Sequence, residues 1–231
     1  MTFGLPRRHL RRCESTNTIA RELAAAGTPA GTVVTADEQT AGRGRQGRSW
    51  VAPPGGALLY SAVLRPLERR HLLLPIAVPL AVADSVERLG GRHAAVKWPN
   101  DVWLGRRKVA GILIEARPQD GWAVIGIGVN VSIEPGQFPP ELRESATSIG
   151  GDATVADTAL ALSEALSGWV TAEPGAVLEG FRSRDALRGR EISWADGEGV
   201  ADGIDDDGNL VVLTAGGERV ALGAGEVHLR L

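Results

Sequence analysis

Between Gly42 and Arg48 the chain reads Gly-Arg-Gly-Arg-Gln-Gly-Arg, three guanidinium groups on a backbone broken up by three glycines. Arginine stays charged and its planar fork matches two phosphate oxygens, while glycine permits backbone conformations that expose amide N–H groups. Such a loop suits a polyphosphate: it could fold over one and neutralise charge that builds up during displacement at phosphorus. Free, it is expected to lack fixed structure, because ordering costs roughly 1–2 kcal/mol per residue; closure should then depend on ligand. Trp50 and Val51 follow immediately and could anchor the end of the loop. An arbitrary Gly/Arg run is more often a solvated loop, and the sequence contains no G-x-x-x-x-G-K-[ST] phosphate loop.

A second candidate is Lys97-Trp98-Pro99-Asn100-Asp101, a lysine at the end of a strand followed by a proline-fixed turn. Alone this is usually structural. Beside an Arg/Gly loop, Lys97 becomes a candidate point charge for a carboxylate or phosphate. Asp101 could bind magnesium, although capping its own turn is the plainer role. The plain reading of Lys108 is a solvent-facing residue.

These residues need a scaffold, and the most informative part of it is KVAGILIEARPQDGWAVIGIGVNV. Two strand-like runs joined by a Pro and Asp-Gly turn predict a hairpin. The two-residue period puts Ile112, Ile114, Ile125, Ile127, Val129 and Val131 on a core face. Gly111, Gly126, Gly128 and Asn130 fall on the other. Glycine inside a strand signals close approach to the backbone, so this face reads as a floor for a flat ligand, with Gly111 among the binding residues.

Upstream, Ser15 to Gly27 predicts a helix capped by its Ser/Thr/Asn group; Gly31 to Thr40 and ALLYSAVLRP predict the strands that flank the Gly/Arg loop. Pro75 to Leu89 has helical spacing, with a kink or late start expected at Pro79. Thr154 to Ala172 and Gly175 to Leu187 predict two more helices. After Arg188, short strands with Asp-Gly and Gly-Gly turns predict a β-barrel-like module, too small to be stable without docking on the main domain. The expected division is 1–187 and 188–231.

Composition narrows the function classes. The 231 residues carry a net charge of −3, which argues against a coat for nucleic acid or for an anionic membrane. Only 4% are aromatic, which weakens an RGG-like RNA-binding reading of the loop. The single cysteine, Cys13, excludes an internal disulfide; no apolar run is long enough to span a bilayer, and no signal peptide is visible, so a cytoplasmic location is expected.

Five segments, in order and at characteristic spacing, resemble the biotin–protein ligase family: Ser15-Thr16-Asn17; Gln39 with AGRGRQGRSW; KWPNDV; KVAGILIE; and GIGVNV. The likeness continues through ADGIDDDGNL and GEVHLR, and covers nearly the whole chain. The resemblance implies an α+β fold: a mixed β-sheet flanked by helices, of the class II aminoacyl-tRNA synthetase type, plus a small SH3-like C-terminal domain. It implies that Ser15, Thr16, Asn17 and Gln39 hold the biotin ring and its surroundings. Arg43, Gly44 and Arg45 would close over biotin and the adenylate. Lys97 would contact carboxylate and phosphate; Asn130 and Arg230 would serve the nucleotide, with Arg48 and Trp50 beside it. Arg45 and Lys97 would be catalytic. Biotin and ATP would be the substrates, with Mg2+, and the partner a biotin carboxyl carrier protein domain of a biotin-dependent carboxylase. No DNA or membrane partner is implied: Ser15 begins too early to leave room for a winged helix, so a monofunctional ligase is expected. Relatives differ in oligomeric state, and a homodimer is among the states allowed. Gln46 stands where some relatives are basic.

Two alternatives remain open at this point. A lipoate ligase or octanoyltransferase would share the fold, but lacks GRGRxGR, and an octanoyltransferase would need a cysteine at the acyl group, where Cys13 is not expected. An RNA-binding module would need no small acid and would depend steeply on salt.

Overall fold

The computed structural model describes residues 1–223 and 227–229. Arg230, expected on the nucleotide, lies outside the described residues.

Seven strands form the main sheet: β1 (Arg7–Cys13), β2 (Val33–Gln39), β3 (Ala57–Leu64), β4 (Ala94–Lys97), β5 (Asp101–Leu104), β6 (Arg107–Arg117) and β7 (Trp122–Asn130). Their spatial order is β1-β2-β3-β7-β6-β5-β4. β1 runs parallel to β2 and every other neighbouring pair is antiparallel, so the sheet is mixed, as expected. The predicted β6–β7 hairpin is present, turning through Gly121 at φ 70°.

Strand alternation sorts the chain into two layers. From one face Leu58, Tyr60, Leu64, Ile112, Ile125, Ile127 and Val129 meet three helices, α2 (Leu74–Gly90), α3 (Val155–Trp169) and α4 (Pro174–Arg184), in the largest apolar cluster. The opposite face is covered in two patches. At one end Val34, Val63, Trp122 and Val124 pack on Ala20 and Ala24 of α1 (Thr16–Ala25). At the other, Ala57 and Leu59 pack on Ile133, Phe138 and Ala146, with Trp50 and Ala52 alongside. Between the patches the sheet carries glycine, and there a cavity opens.

Two local expectations need correction. Pro79 does not delay α2, which starts at Leu74 with Pro75 in its first turn and continues past Pro79. The missing donor leaves only the Pro75 carbonyl without its bond, and burial of Ile76, Val78, Leu80 and Val82 outweighs that loss. Ser15 occupies the N-cap position of α1 but makes no side-chain capping bond. The Thr16 N–H is instead taken by Gln39 Oε1 at 2.7 Å.

The C-terminal strands β8 (Glu191–Trp194), β9 (Gly197–Ile204), β10 (Leu210–Leu213), β11 (Arg219–Leu222) and β12 (His228–Leu229) form an antiparallel sheet in the order β11-β10-β9-β8-β12. Asp205 to Gly208 is the β9–β10 turn, with Asp205 Oδ1 accepting from the Asp207 and Asn209 N–H groups. Ile192, Ala201, Ile204, Leu210 and Val212 join the main apolar cluster, so the small sheet is docked on the large one. Trp98 Nε1–H donates to the Gly208 carbonyl at 3.1 Å across that contact.

Candidate active site

The cavity has a volume of about 300 Å³, at the lower end of small-ligand pockets. Its floor is the glycine face of β6 and β7. Gly111 stands opposite Gly128, and Leu113 opposite Gly126. A Cβ on Gly126 would fall 2.1 Å from Asn17 Oδ1, and one on Gly128 would fall 2.4 Å from Trp50 Cε2. The close approach foreseen from these glycines is thus made first by two side chains of the protein, lying flat on the sheet.

One end of the floor is a hydrogen-bond network of uncharged side chains that ends on the Glu115 carboxylate. Gln39 Oε1 accepts from Thr16 Oγ1 at 3.0 Å, and Ser61 Oγ bonds to Thr16 Oγ1 at 2.8 Å and to Asn17 Oδ1 at 2.6 Å. Asn17 Nδ2 donates to Glu115 Oε2 at 2.9 Å and to the Leu113 carbonyl at 3.3 Å. Ser15, Thr16 and Asn17 are all buried, which holds this network in a single arrangement.

The other end is cationic. Lys97, Lys108, Arg45 and Arg48 all line the cavity. Lys97 Nζ lies 5.5 Å from the centroid of the Trp103 ring. Arg45 Nη1 donates to Asn100 Oδ1 at 3.2 Å, and Asn100 is itself fixed by donating to the Ile112 carbonyl at 3.0 Å. The Lys-Trp-Pro-Asn-Asp turn therefore does two things: it ends the strand that carries Lys97 and it receives the Gly/Arg loop.

The loop itself is a turn closed by Gly44 N–H to the Arg48 carbonyl and Trp50 N–H to the Gly42 carbonyl. Gln46 takes a left-handed conformation at φ 55°, followed by Gly47 at φ 74°. Arg43 reaches Glu115 by two bonds, Nη2 to Oε2 at 3.0 Å and Nη1 to Oε1 at 3.4 Å.

Ser15, Thr16, Asn17, Gln39, Arg43, Gly44, Arg45, Arg48, Trp50, Lys97, Gly111 and Asn130 all line this one cavity. Asn130 has its amide turned to the backbone, Nδ2 donating to the Thr147 carbonyl at 3.0 Å, so it also ties the 147 segment to the sheet.

The reading of Lys108 is corrected. Regular alternation would put it with Ala110 and Ile112, on the face opposite Gly111. A bulge intervenes: Val102 pairs with Ala110 but Trp103 with Lys108, leaving Val109 as the extra residue. Val109 and Ala110 are both buried, and Lys108 Nζ comes to 3.1 Å from where a Cβ on Gly111 would lie. Lys108 pairs with Asp101 at 2.7 Å, so that carboxylate is engaged by an ammonium. Two residues passed over in the sequence, Ser61 and Glu115, complete the network; neither has a local signal, since each acts through a partner distant in the chain.

Cys13 is outside the cavity lining, and partial burial pushes its thiol above the ordinary range. It has neither the position nor the thiolate character of an acyl-carrying nucleophile. Among the described residues no group of three or more His, Cys, Asp or Glu could hold a metal ion, and no helix is long and apolar enough to cross a membrane.

Comparison with known proteins fits this geometry. Residues 9–132 match the biotin/lipoate A/B protein ligase family and residues 189–230 the biotin protein ligase C-terminal domain. A biotin--[acetyl-CoA-carboxylase] ligase of Mycobacterium tuberculosis is 35% identical over 94% of this chain and 86% of its own length. The bifunctional ligase/repressor BirA of Bacillus subtilis is 40% identical over 58% of this chain; the match spans 43% of that longer protein. The biotin protein ligase of Aquifex aeolicus, solved in complex with biotin and ATP, superposes with a TM-score of 0.81 at 28% identity, covering 98% of this chain and 99% of that one. With both sequence signatures, a relative matched along most of its length and a shared fold, the chain belongs to the biotin protein ligase family.

Proposed function

We propose that this protein joins biotin to ATP as biotinyl-5'-AMP and transfers the biotinyl group to a lysine of a biotin carboxyl carrier protein domain. One observation carries the reading: a single cavity is lined by the uncharged donors and acceptors Ser15, Thr16, Asn17 and Gln39 at the Gly126 end and by cations around Gly111 and Gly128. Those two ends are about 7 Å apart along β7. The bicyclic urea of biotin supplies two N–H donors and a carbonyl for the first end, and its carboxylate reaches toward the second. A dithiolane, the ring of lipoate, offers that network no comparable partner, which disfavours lipoate as substrate.

In the first step a biotin carboxylate oxygen attacks the α-phosphorus, the bond to the bridging oxygen breaks, and pyrophosphate leaves. Arg45, Lys97 and Lys108 stabilise the charge that builds up on the phosphoryl oxygens. In the second step the neutral ε-amine of the carrier lysine attacks the acyl carbon, AMP leaves, and the amide nitrogen gives up a proton. The Gly/Arg loop excludes water between the steps and so protects the mixed anhydride. Arg43 Nε and Trp50 Nε1 are buried donors without a hydrogen-bond partner among the described residues, and both side chains line the cavity. A bound acceptor would relieve the cost of leaving them unpaired.

Magnesium is assigned as a component of the nucleotide substrate. Among the described residues the one carboxylate lining the cavity, Asp101, is already paired with Lys108, so these residues suit a metal that arrives on the triphosphate rather than a resident ion. The division at 187/188 and a cytoplasmic location are part of the same proposal. The test is incubation with biotin, MgATP and a purified carrier domain, read by mass spectrometry: biotinylation at one lysine supports the reading, and an unmodified carrier under conditions that modify it with a known ligase contradicts it.

A further inference from the structure

Glu115 is a partly buried carboxylate, its side chain 23% exposed, and it accepts four hydrogen bonds from three residues, two on α1 and one on the Gly/Arg loop. Oε2 accepts from Asn17 Nδ2 at 2.9 Å and from Arg43 Nη2 at 3.0 Å. Oε1 accepts from Arg21 Nη1 at 3.2 Å and from Arg43 Nη1 at 3.4 Å. Glu115 stands opposite Val124, on the face that carries Gly111 and Leu113, so the strand directs it toward the cavity side. Around it runs an unbroken series of contacts: Gln39 to Thr16, Thr16 to Ser61, Ser61 to Asn17, Asn17 to Glu115, Glu115 to Arg43.

We infer that Glu115 is a positioning residue that seats the Gly/Arg loop, holding Arg43 of the loop and Asn17 of the ring-binding end on one carboxylate. Ring recognition and loop closure then share one anchor, and this functional consequence rests on the adenylation proposed above. The fork from Arg43 is charge-assisted on both sides, which a neutral amide at position 115 cannot reproduce. A glutamine there would still accept from Asn17, so the two duties of Glu115 are separable by substitution.

The loop is rich in trypsin sites, so its seating can be read directly and without any activity. The experiment compares cleavage after Arg45 and Arg48, mapped by mass spectrometry, in the parent, Glu115→Gln, Arg43→Met and the double variant, with Arg106 as an exposed reference site outside the loop. Loop cleavage is expected to rise roughly tenfold in Glu115→Gln, with Arg106 unchanged, on the scale of one charge-assisted hydrogen bond. Arg43→Met should do the same, and the double variant should be no worse than the faster single. In ATP–pyrophosphate exchange the KM for biotin should rise in Glu115→Gln, which unseats Arg43, and rise further in Glu115→Ala, which loses the Asn17 contact as well.

Parent-like loop cleavage in Glu115→Gln would overturn the inference. So would single effects that multiply in the double variant, because Glu115 would then not act through Arg43. A parallel rise at Arg106 would reduce Glu115 to a general stabiliser and overturn it too. A parent protein that performs no exchange contradicts the proposed activity; the protease comparison separates that failure from failure of the seat.

Discussion

The Trp50 indole lies on the backbone of Gly128, where a Cβ would come within 2.4 Å of its ring, and the Asn17 amide lies on Gly126 in the same way. Two glycines separated by one residue therefore support the two ends of the cavity. Gly126→Ala should displace Asn17 and raise the KM for biotin, while Gly128→Ala should displace Trp50 and raise the KM for ATP. Each should cost about 1–3 kcal/mol of stability through overpacking. Steady-state kinetics with each substrate varied in turn checks the split; equal effects of both variants on both constants would contradict it.

Lys108 and Lys97 are both expected to matter. Removing a preorganised charge from the reacting phosphate should slow adenylate formation by roughly 100-fold or more in Lys108→Ala and in Lys97→Ala. A single-turnover measurement isolates that step. An unaffected Lys108→Ala would return Lys108 to a structural partner of Asp101.

Burial pushes the Tyr60 phenol up to about 12, only partly opposed by its hydrogen bond with Ser163 and by the charge of Arg7. The folded state resists ionisation that the unfolded state undergoes near pH 10. The stability Tyr60 contributes is therefore complete below about pH 10 and is lost as pH rises toward 12, by up to about 1.4 kcal/mol per pH unit. Urea denaturation of parent and Tyr60→Phe should show the parent ahead at pH 9 and its advantage shrinking by pH 11.5. A constant gap would contradict this.

The contact between the two sheets depends in part on Trp98 Nε1–H and the Gly208 carbonyl. Trp98→Phe removes that donor and should lower stability by about 0.5–1.5 kcal/mol. Because Trp98 adjoins Lys97, adenylate formation should fall as well. Thermal unfolding and exchange on the same sample test both parts.

Much of this was legible in residue order because periodicity is strong where elements are long. The β6–β7 hairpin, its core face of Ile125, Ile127 and Val129 and its floor of Gly126 and Gly128 all follow from a period of two. Lys108 escaped the same rule because one bulged residue, Val109, reverses the side to which it points. The late helix start expected at Pro79 does not occur, since local propensity yields to burial on a helix packed along its length. Ser15 was overread as a cap because Gln39, far away in sequence, supplies the bond to the Thr16 N–H. Ser61 and Glu115 were silent for the same reason: their contacts span 44 and 98 residues to Asn17, and only the assembled sheet brings them together.

The central claim is that the cavity activates biotin with ATP, and ATP–pyrophosphate exchange with purified protein and magnesium tests it most directly, with biotin, lipoate and octanoate as the competing acids. Exchange with biotin alone, lost in Arg45→Ala and in Lys97→Ala, is the predicted result. Exchange with lipoate in place of biotin, or with none of the three acids, would contradict the account.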